Sequence, residues 1–288
     1  MTTARTSKFP PYMSAMERAW HYSHRWLCFA TLVFLVLPIL VIMPLSFSEG
    51  TLLLYPMPGF SLRWYEALFQ SDDWMRATRN SFIVAPMATL LATVLGTMAA
   101  MGLQRINFLG KSLLMAVLIS PMIVPLVVVG VGIYLFFAPY GLTSSYTGLI
   151  LTHAALGSPF VVTTVTATLQ GFDQNLVRAA YSLGASPLRA FFTVTLPIIA
   201  PGVIAGALFA FITSFDEVIT TLFLAGPEQV TLPRQMFTGI KENISPIIAA
   251  VATILILFST SLLLTLQWLR GRSPAGKNSG VMDNSEHV

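Results

Sequence analysis

Charge is scarce in this 288-residue chain: Asp, Glu, Lys and Arg make up 10% of it, while 55% is hydrophobic. Soluble domains carry about 25% charged residues, so a mean hydropathy of +0.74 excludes a water-exposed globule and calls for lipid around most of the chain. Cysteine is nearly absent. The single thiol, Cys28, excludes an intrachain disulfide and reads as packing at the start of an apolar run. Among the histidines His21, His24, His153 and His287, only the first two share a helical face, and no Cys or Asp beside them completes a metal site. That pair reads as a solvated interfacial face. Catalytic motifs are missing as well. Leu109-Gly110-Lys111-Ser112 looks like the end of a phosphate-binding loop, but Arg105 stands where that loop requires glycine and no strand precedes it. No His-Glu-x-x-His and no Gly-x-Ser-x-Gly is present. We therefore expect no catalytic residues, no metal and no cofactor in this chain, and nothing suggests nucleic-acid binding.

What is present is a set of long apolar runs. A helix needs about 20 apolar residues to cross the hydrocarbon core, and six segments qualify: Leu27–Phe47, Ser81–Leu103, Leu113–Ala138, Thr147–Leu169, Ile198–Phe223 and Ile247–Leu269. Barrel strands alternate over about ten residues, so the expectation is an all-α, polytopic membrane protein. The first run is too long and too late for a cleaved signal sequence. Of the 16 Lys and Arg residues, eleven (Arg5, Lys8, Arg18, Arg25, Arg105, Lys111, Arg178, Arg189, Arg270, Arg272, Lys277) fall on the side of the N-terminus and five (Arg63, Arg76, Arg79, Arg234, Lys241) on the other. The positive-inside bias then predicts both termini in the cytoplasm and accounts for the net charge of +4. The organisation expected is a cytoplasmic segment 1–26, a first span 27–47, an outer lid 48–80 with a short helix at Leu62–Leu68, a core 81–269 with five spans, and a disordered tail 270–288. The aromatics Trp64, Tyr65 and Trp74 suit the headgroup level. In the third run, Gly130, Gly132, Pro121 and Pro125 read as kinks and close packing.

Between the fourth and fifth runs lies a mildly basic insert, residues 171–197. Asp173 is a candidate N-cap. Leu176, Ala179, Ala180 and Leu183 form one stripe on a helix from Asn175 to Leu183, and Gly184 can end it. Pro187 opens a second short helix, Leu188 to Val194, and Pro197 and Pro201 should interrupt the chain before the fifth span. Composition alone leaves two readings open: an interfacial hairpin, or two angled helices that present an apolar face with Arg178 and Arg189 to a soluble partner.

The spacing of Ala179-Ala180, Gly184 and Val194-Thr195-Leu196-Pro197 resembles the signature of type I ABC-transporter permease subunits. In that family the insert docks into a cleft of a separate ATPase, which implies a coupling role for Arg178, Ala179, Ala180, Gly184, Leu196 and Pro197. Arg178 stands where the family usually has Glu. The run Phe211-Ile212-Thr213-Ser214-Phe215-Asp216-Glu217-Val218, with Gly226-Pro227, Thr231-Leu232-Pro233 and the lid run Ser61-Leu62-Arg63-Trp64-Tyr65, is similar to permeases of spermidine/putrescine importers. The resemblance implies a bacterial inner-membrane importer of polyamine cations built from two related permeases, two ATPases that carry ATP and Mg, and a periplasmic binding protein. Gly226–Pro246 would be the outer loop that meets that binding protein. Other cargoes of the same class (ferric iron, an aminophosphonate, an opine or other amino compound, thiamine) and a stand-alone secondary transporter are the alternatives.

Asp216 and Glu217 stand out physically. Asp216 lies eighteen residues beyond Ile198, about 27 Å along a helix, so the pair sits within the membrane, where a carboxylate must face a cavity or a partner. Adjacent residues point about 100° apart. We expect Asp216 to make a structural bond and Glu217 to face the substrate pathway, with Phe211, Phe215 and Tyr134 as aromatic faces for a cation or as ordinary packing.

Overall fold

The structure, a computed structural model, describes residues 14–105, 108–242 and 244–271. Among these residues every named element is a helix, with one isolated antiparallel bridge, Ser48–Phe60. The all-α expectation holds. The expected disordered tail lies outside the described residues from 272 onward, and the helix preceding it runs through Gly271.

Two compact units divide the chain, 1–68 with 244–288, and 69–243. The first holds α1 (Ala15–Leu45), the lid as far as Leu68 and α12 (Pro246–Gly271), with α1 packed on α12. α1 begins well before the apolar run because Ser14 and Glu17 cap it reciprocally: Glu17 N–H donates to Ser14 Oγ at 3.2 Å and Ser14 N–H to Glu17 Oε2 at 2.7 Å. The lid is tied to the end of α1. Trp64 Nε1–H donates to the carbonyls of Ser48 and Gly50 at 2.9 and 3.1 Å, and the hydroxyls of Tyr65 and Ser46 are 2.7 Å apart. A short helix forms where expected, α2 (Arg63–Gln70). Trp74, expected at the headgroups, is buried.

The second unit is built on α3 (Asp72–Arg105), α6 (Tyr146–Gln170) and α9 (Leu196–Phe215), which pack on one another. Their shared core is made of small and β-branched residues, among them Ala88, Ala92, Val161, Val165 and Ala210. Helices in lipid gain little from the hydrophobic effect and associate through close packing, which small residues permit. At Gly206 the two backbones approach closely: a Cβ there would lie 2.7 Å from Val161 Cα.

Among the described residues, length and hydropathy qualify four helical segments to cross a membrane: Ala19–Leu45, Asp72–Gln104, Tyr146–Gln170 and Pro187–Phe215. The expected third span, Leu113–Ala138, is not one rod. It is α4 (Lys111–Ile119) with a following turn, then α5 (Leu126–Phe137), the two helical arms meeting at 104°. Pro121 and Pro125 lack N–H groups, and Pro125 sits at the N-cap of α5, so together they break what either alone would kink. In α12 the apolar part among the described residues is shorter, Pro246–Ser261.

The fifth span differs from expectation at both ends. Pro197 and Pro201 do not interrupt it, because helix is continuous from Pro187 to Phe215 through α8 (Pro187–Ala190) and a π turn, Phe191–Thr195. There the Leu196 N–H reaches back to Phe191 O, a register change just ahead of Pro197. Beyond Phe215 the expected run to Phe223 stops, and α10 (Ile219–Leu224) begins after a three-residue break.

Candidate functional site

The insert forms α7 (Asn175–Ser182). The N-cap is Gln174, which makes no side-chain cap bond, not the expected Asp173; Asp173 stands one residue earlier and accepts from the Asn175 N–H at 2.9 Å, an Asx turn into the helix. At the other end Gly184 has φ +82°, Ala185 N–H donates to Ala180 O at 3.0 Å and Gly184 N–H to Tyr181 O at 2.9 Å. These are the paired bonds of a Schellman turn. The Ala180–Gly184 spacing is therefore a helix stop: alanine supplies the first carbonyl and glycine the left-handed residue. The chain restarts at α8, where the Arg189 N–H donates to Ser186 Oγ at 3.4 Å.

Inward burial falls on Val177 and Ala190, and the expected stripe points away from the chain's own core. Leu176, Ala179 and Leu183 are exposed, Ala180 is half-buried, and Leu183 and Leu188 keep 89% and 73% of their surface in the open. Arg178 and Arg189 are exposed beside them. Arg178 Nη1 lies back on Asn175 Oδ1 at 3.4 Å. Leu196 packs on the core and Pro197 is exposed at the start of α9.

The acidic pair occupies the break between α9 and α10. The structural bond expected of Asp216 is made by Glu217 instead. Glu217 is 5% exposed and its Oε1 accepts from the Thr220 N–H at 2.7 Å, so Glu217 makes the structural bond by capping α10. Asp216 ends α9 and is exposed. Glu217 stands just before Val218, the N-cap of α10, and from there its side chain reaches a free amide of the first turn. Phe211 stacks on Phe215, centroids 5.5 Å apart, and Phe215 meets Phe82 edge-on at 5.5 Å. Tyr134 is exposed on α5, a helix that packs against α10.

Behind the break stands His153 of α6, buried, with Nδ1 2.9 Å from Ser214 Oγ and Nε2 3.2 Å from Thr221 Oγ1. Sequence reading gave His153 no role, since its partners lie 61 and 68 residues away. A polar residue in an otherwise apolar span was the available signal.

At the far end of α3, buried Asn80 donates to the carbonyls of Glu228 and Val230, each at 2.8 Å, and accepts from the Tyr146 hydroxyl at 2.8 Å. The Leu232 N–H donates to Ser81 Oγ at 2.8 Å, and Arg76 pairs with Asp73 and Glu228. These bonds hold the segment leading into α11 (Leu232–Glu242), a helix the sequence reading left inside the outer loop. Arg234 Nη1 donates to Ala225 O at 2.7 Å, and burial pushes its guanidinium below the usual arginine pKa.

Residues 92–273 match the family described as binding-protein-dependent transport system inner membrane component. The chain is 33% identical over 239 residues to the spermidine/putrescine transport system permease protein PotC of Haemophilus influenzae, covering 83% of this chain and 93% of that protein. It is 32% identical over 230 residues to the putrescine transport system permease protein PotI of Escherichia coli, covering 77% and 82%. Among solved structures, a bacterial ABC transporter that imports the acidic polysaccharide alginate matches in fold with a TM-score of 0.70 at 15% identity, covering 91% of this chain and 99% of the matched one.

Proposed function

The chain belongs to the family of binding-protein-dependent transport system inner membrane components, and from that membership we propose that it is one of two permeases in an ATP-driven importer of polyamine cations. It is a multi-pass membrane transport component, not an enzyme. The partners in this reading are a second, homologous permease, two ATPase subunits that bind ATP and Mg, and a periplasmic substrate-binding protein. Both termini lie in the cytoplasm, which puts α7 and α8 on the side of the ATPase.

One observation carries the coupling role: the insert holds its shape by its own caps while turning Leu183 and Leu188, with Arg178 and Arg189, outward. A stripe that the chain does not cover suits a cleft in another subunit. The motion of the ATPases would travel through the continuous helix from Pro187 to Phe215 to the break that follows it.

The cargo follows from Asp216. A helix C-terminus carries about half a negative charge, and here an exposed carboxylate is added to it. An ammonium group leaving water gains on both counts, and Phe215, next to Asp216 in sequence, with its ring partners Phe211 and Phe82 offers aromatic faces. An anion would be repelled. PotC and PotI, named for spermidine and putrescine, carry the same cargo class.

Reconstitution tests this reading. Proteoliposomes holding both permeases and the ATPase, supplied with the binding protein, should accumulate labelled putrescine or spermidine only with ATP inside the ATPase compartment. Uptake by the permeases alone, or a complex that moves an anion and no polyamine, would overturn it.

A further inference from the structure

We infer that His153 is a positioning residue of the translocation pathway, bridging the two ends of the broken fifth span so that Asp216 stays exposed and Glu217 buried. The inference rests on the permease reading above and adds to it a residue from a different span.

The bridge spans the break. Ser214 lies in the last turn of α9, which ends at Phe215, and Thr221 lies in α10, seven residues on. One imidazole bonds both hydroxyls, at 2.9 and 3.2 Å from its two sides. His153 thereby holds both sides of the break, and its contacts favour the broken form in which they are made.

Donor accounting extends the chain of bonds to the acidic pair. Thr221 Oγ1–H donates to Glu217 O at 3.4 Å. Beside it the imidazole donates at one ring nitrogen and accepts at the other, between the Ser214 and Thr221 hydroxyls. The Glu217 carboxylate accepts from the Thr220 N–H. Ser214, Glu217, Thr220 and Thr221 are all buried, as is His153, so no solvent stands ready to replace a lost partner. The imidazole thus links a continuous span, α6, to the last turn of α9, to α10 and to the main chain of Glu217. Asp216 lies inside that bracket and is the residue left pointing out.

The experiment uses the full transporter in proteoliposomes with His153→Leu, His153→Gln, Thr221→Val and the double variant His153→Leu/Thr221→Val. Loss of a bridging bond should lower maximal uptake roughly tenfold for His153→Leu at equal amounts of assembled complex. The half-saturating cargo concentration should hold, because capture lies with the binding protein. His153→Gln, whose amide both donates and accepts, should recover most of the rate, and the double variant should be no worse than His153→Leu alone. Hydrogen exchange supplies a readout free of cargo: amides 216–222 should exchange faster in His153→Leu and Thr221→Val, and recover in His153→Gln, with 200–210 unchanged. If His153→Leu does not assemble, Thr221→Val carries the same comparison with a smaller change. Wild-type exchange at 216–222 in these variants, multiplicative losses in the double variant, or no rescue by Gln overturns the bridge. Failure of the wild-type complex to move polyamines strikes the cargo reading instead and leaves the exchange result standing.

Discussion

Asp216 and Glu217 are neighbours with opposite surroundings, and the difference decides what each can do. Glu217 is spent on the Thr220 amide, whereas Asp216 ends α9 exposed. Replacing Asp216 with Asn removes charge at nearly constant shape and should cut polyamine uptake about tenfold, the scale of one charge-assisted contact, while leaving the amount of complex unchanged. Uptake assays on quantified complex check this. Glu217→Gln keeps an acceptor for the Thr220 amide and should be milder than Glu217→Leu, which removes the cap and costs about 1 kcal/mol of stability; thermal unfolding in detergent separates the two. That two carboxylates follow a long apolar run was legible in the sequence. Which member bonds was not, because it depends on where α9 stops.

At the scale of elements, the insert was the most legible part of the chain. Asp173, the run from Asn175 and the glycine stop are local signals, and each forms a local bond: the Asx turn at Asn175 and the two turn bonds to Ala180 and Tyr181. Gly184 offers a clean test because a Cβ there meets nothing within 4 Å, so a substitution acts through φ +82° alone. A β-branched residue should cost roughly 1–2 kcal/mol in that conformation, whereas Asn tolerates it. Gly184→Val should therefore leave ATP hydrolysis running with transport reduced several-fold, and Gly184→Asn should stay close to wild type. Equal transport in all three would remove the turn from the coupling path. The spans were less legible. Hydropathy counts apolar residues but carries no information on direction, so α4 and α5 read as one rod until their 104° bend is seen. The prolines misled in both senses: the pair at 121 and 125 breaks a span, while Pro197 is absorbed by the π turn before it.

For the whole molecule, the orientation proposed from Lys and Arg placement has a direct check. Cys28 is the one cysteine, so a Cys28→Ser background permits single-cysteine labelling. An impermeant thiol reagent applied to intact spheroplasts should label Thr51→Cys, and should label Gln174→Cys only after permeabilisation. The opposite pattern would place the insert outside and sink its role as an ATPase handle. Scarce charge and long apolar runs were enough to determine a helical membrane protein, because backbone groups in lipid must bond within their own segment. The local caps determined the turn at Gly184 for the same reason: their partners lie within six residues. The break at Asp216, the burial of Glu217 and the His153 bridge were decided only by the tertiary structure. The His153 hydrogen bonds join α6 to α9 and α10 across 61 and 68 residues, and no local periodicity records a partner that distant.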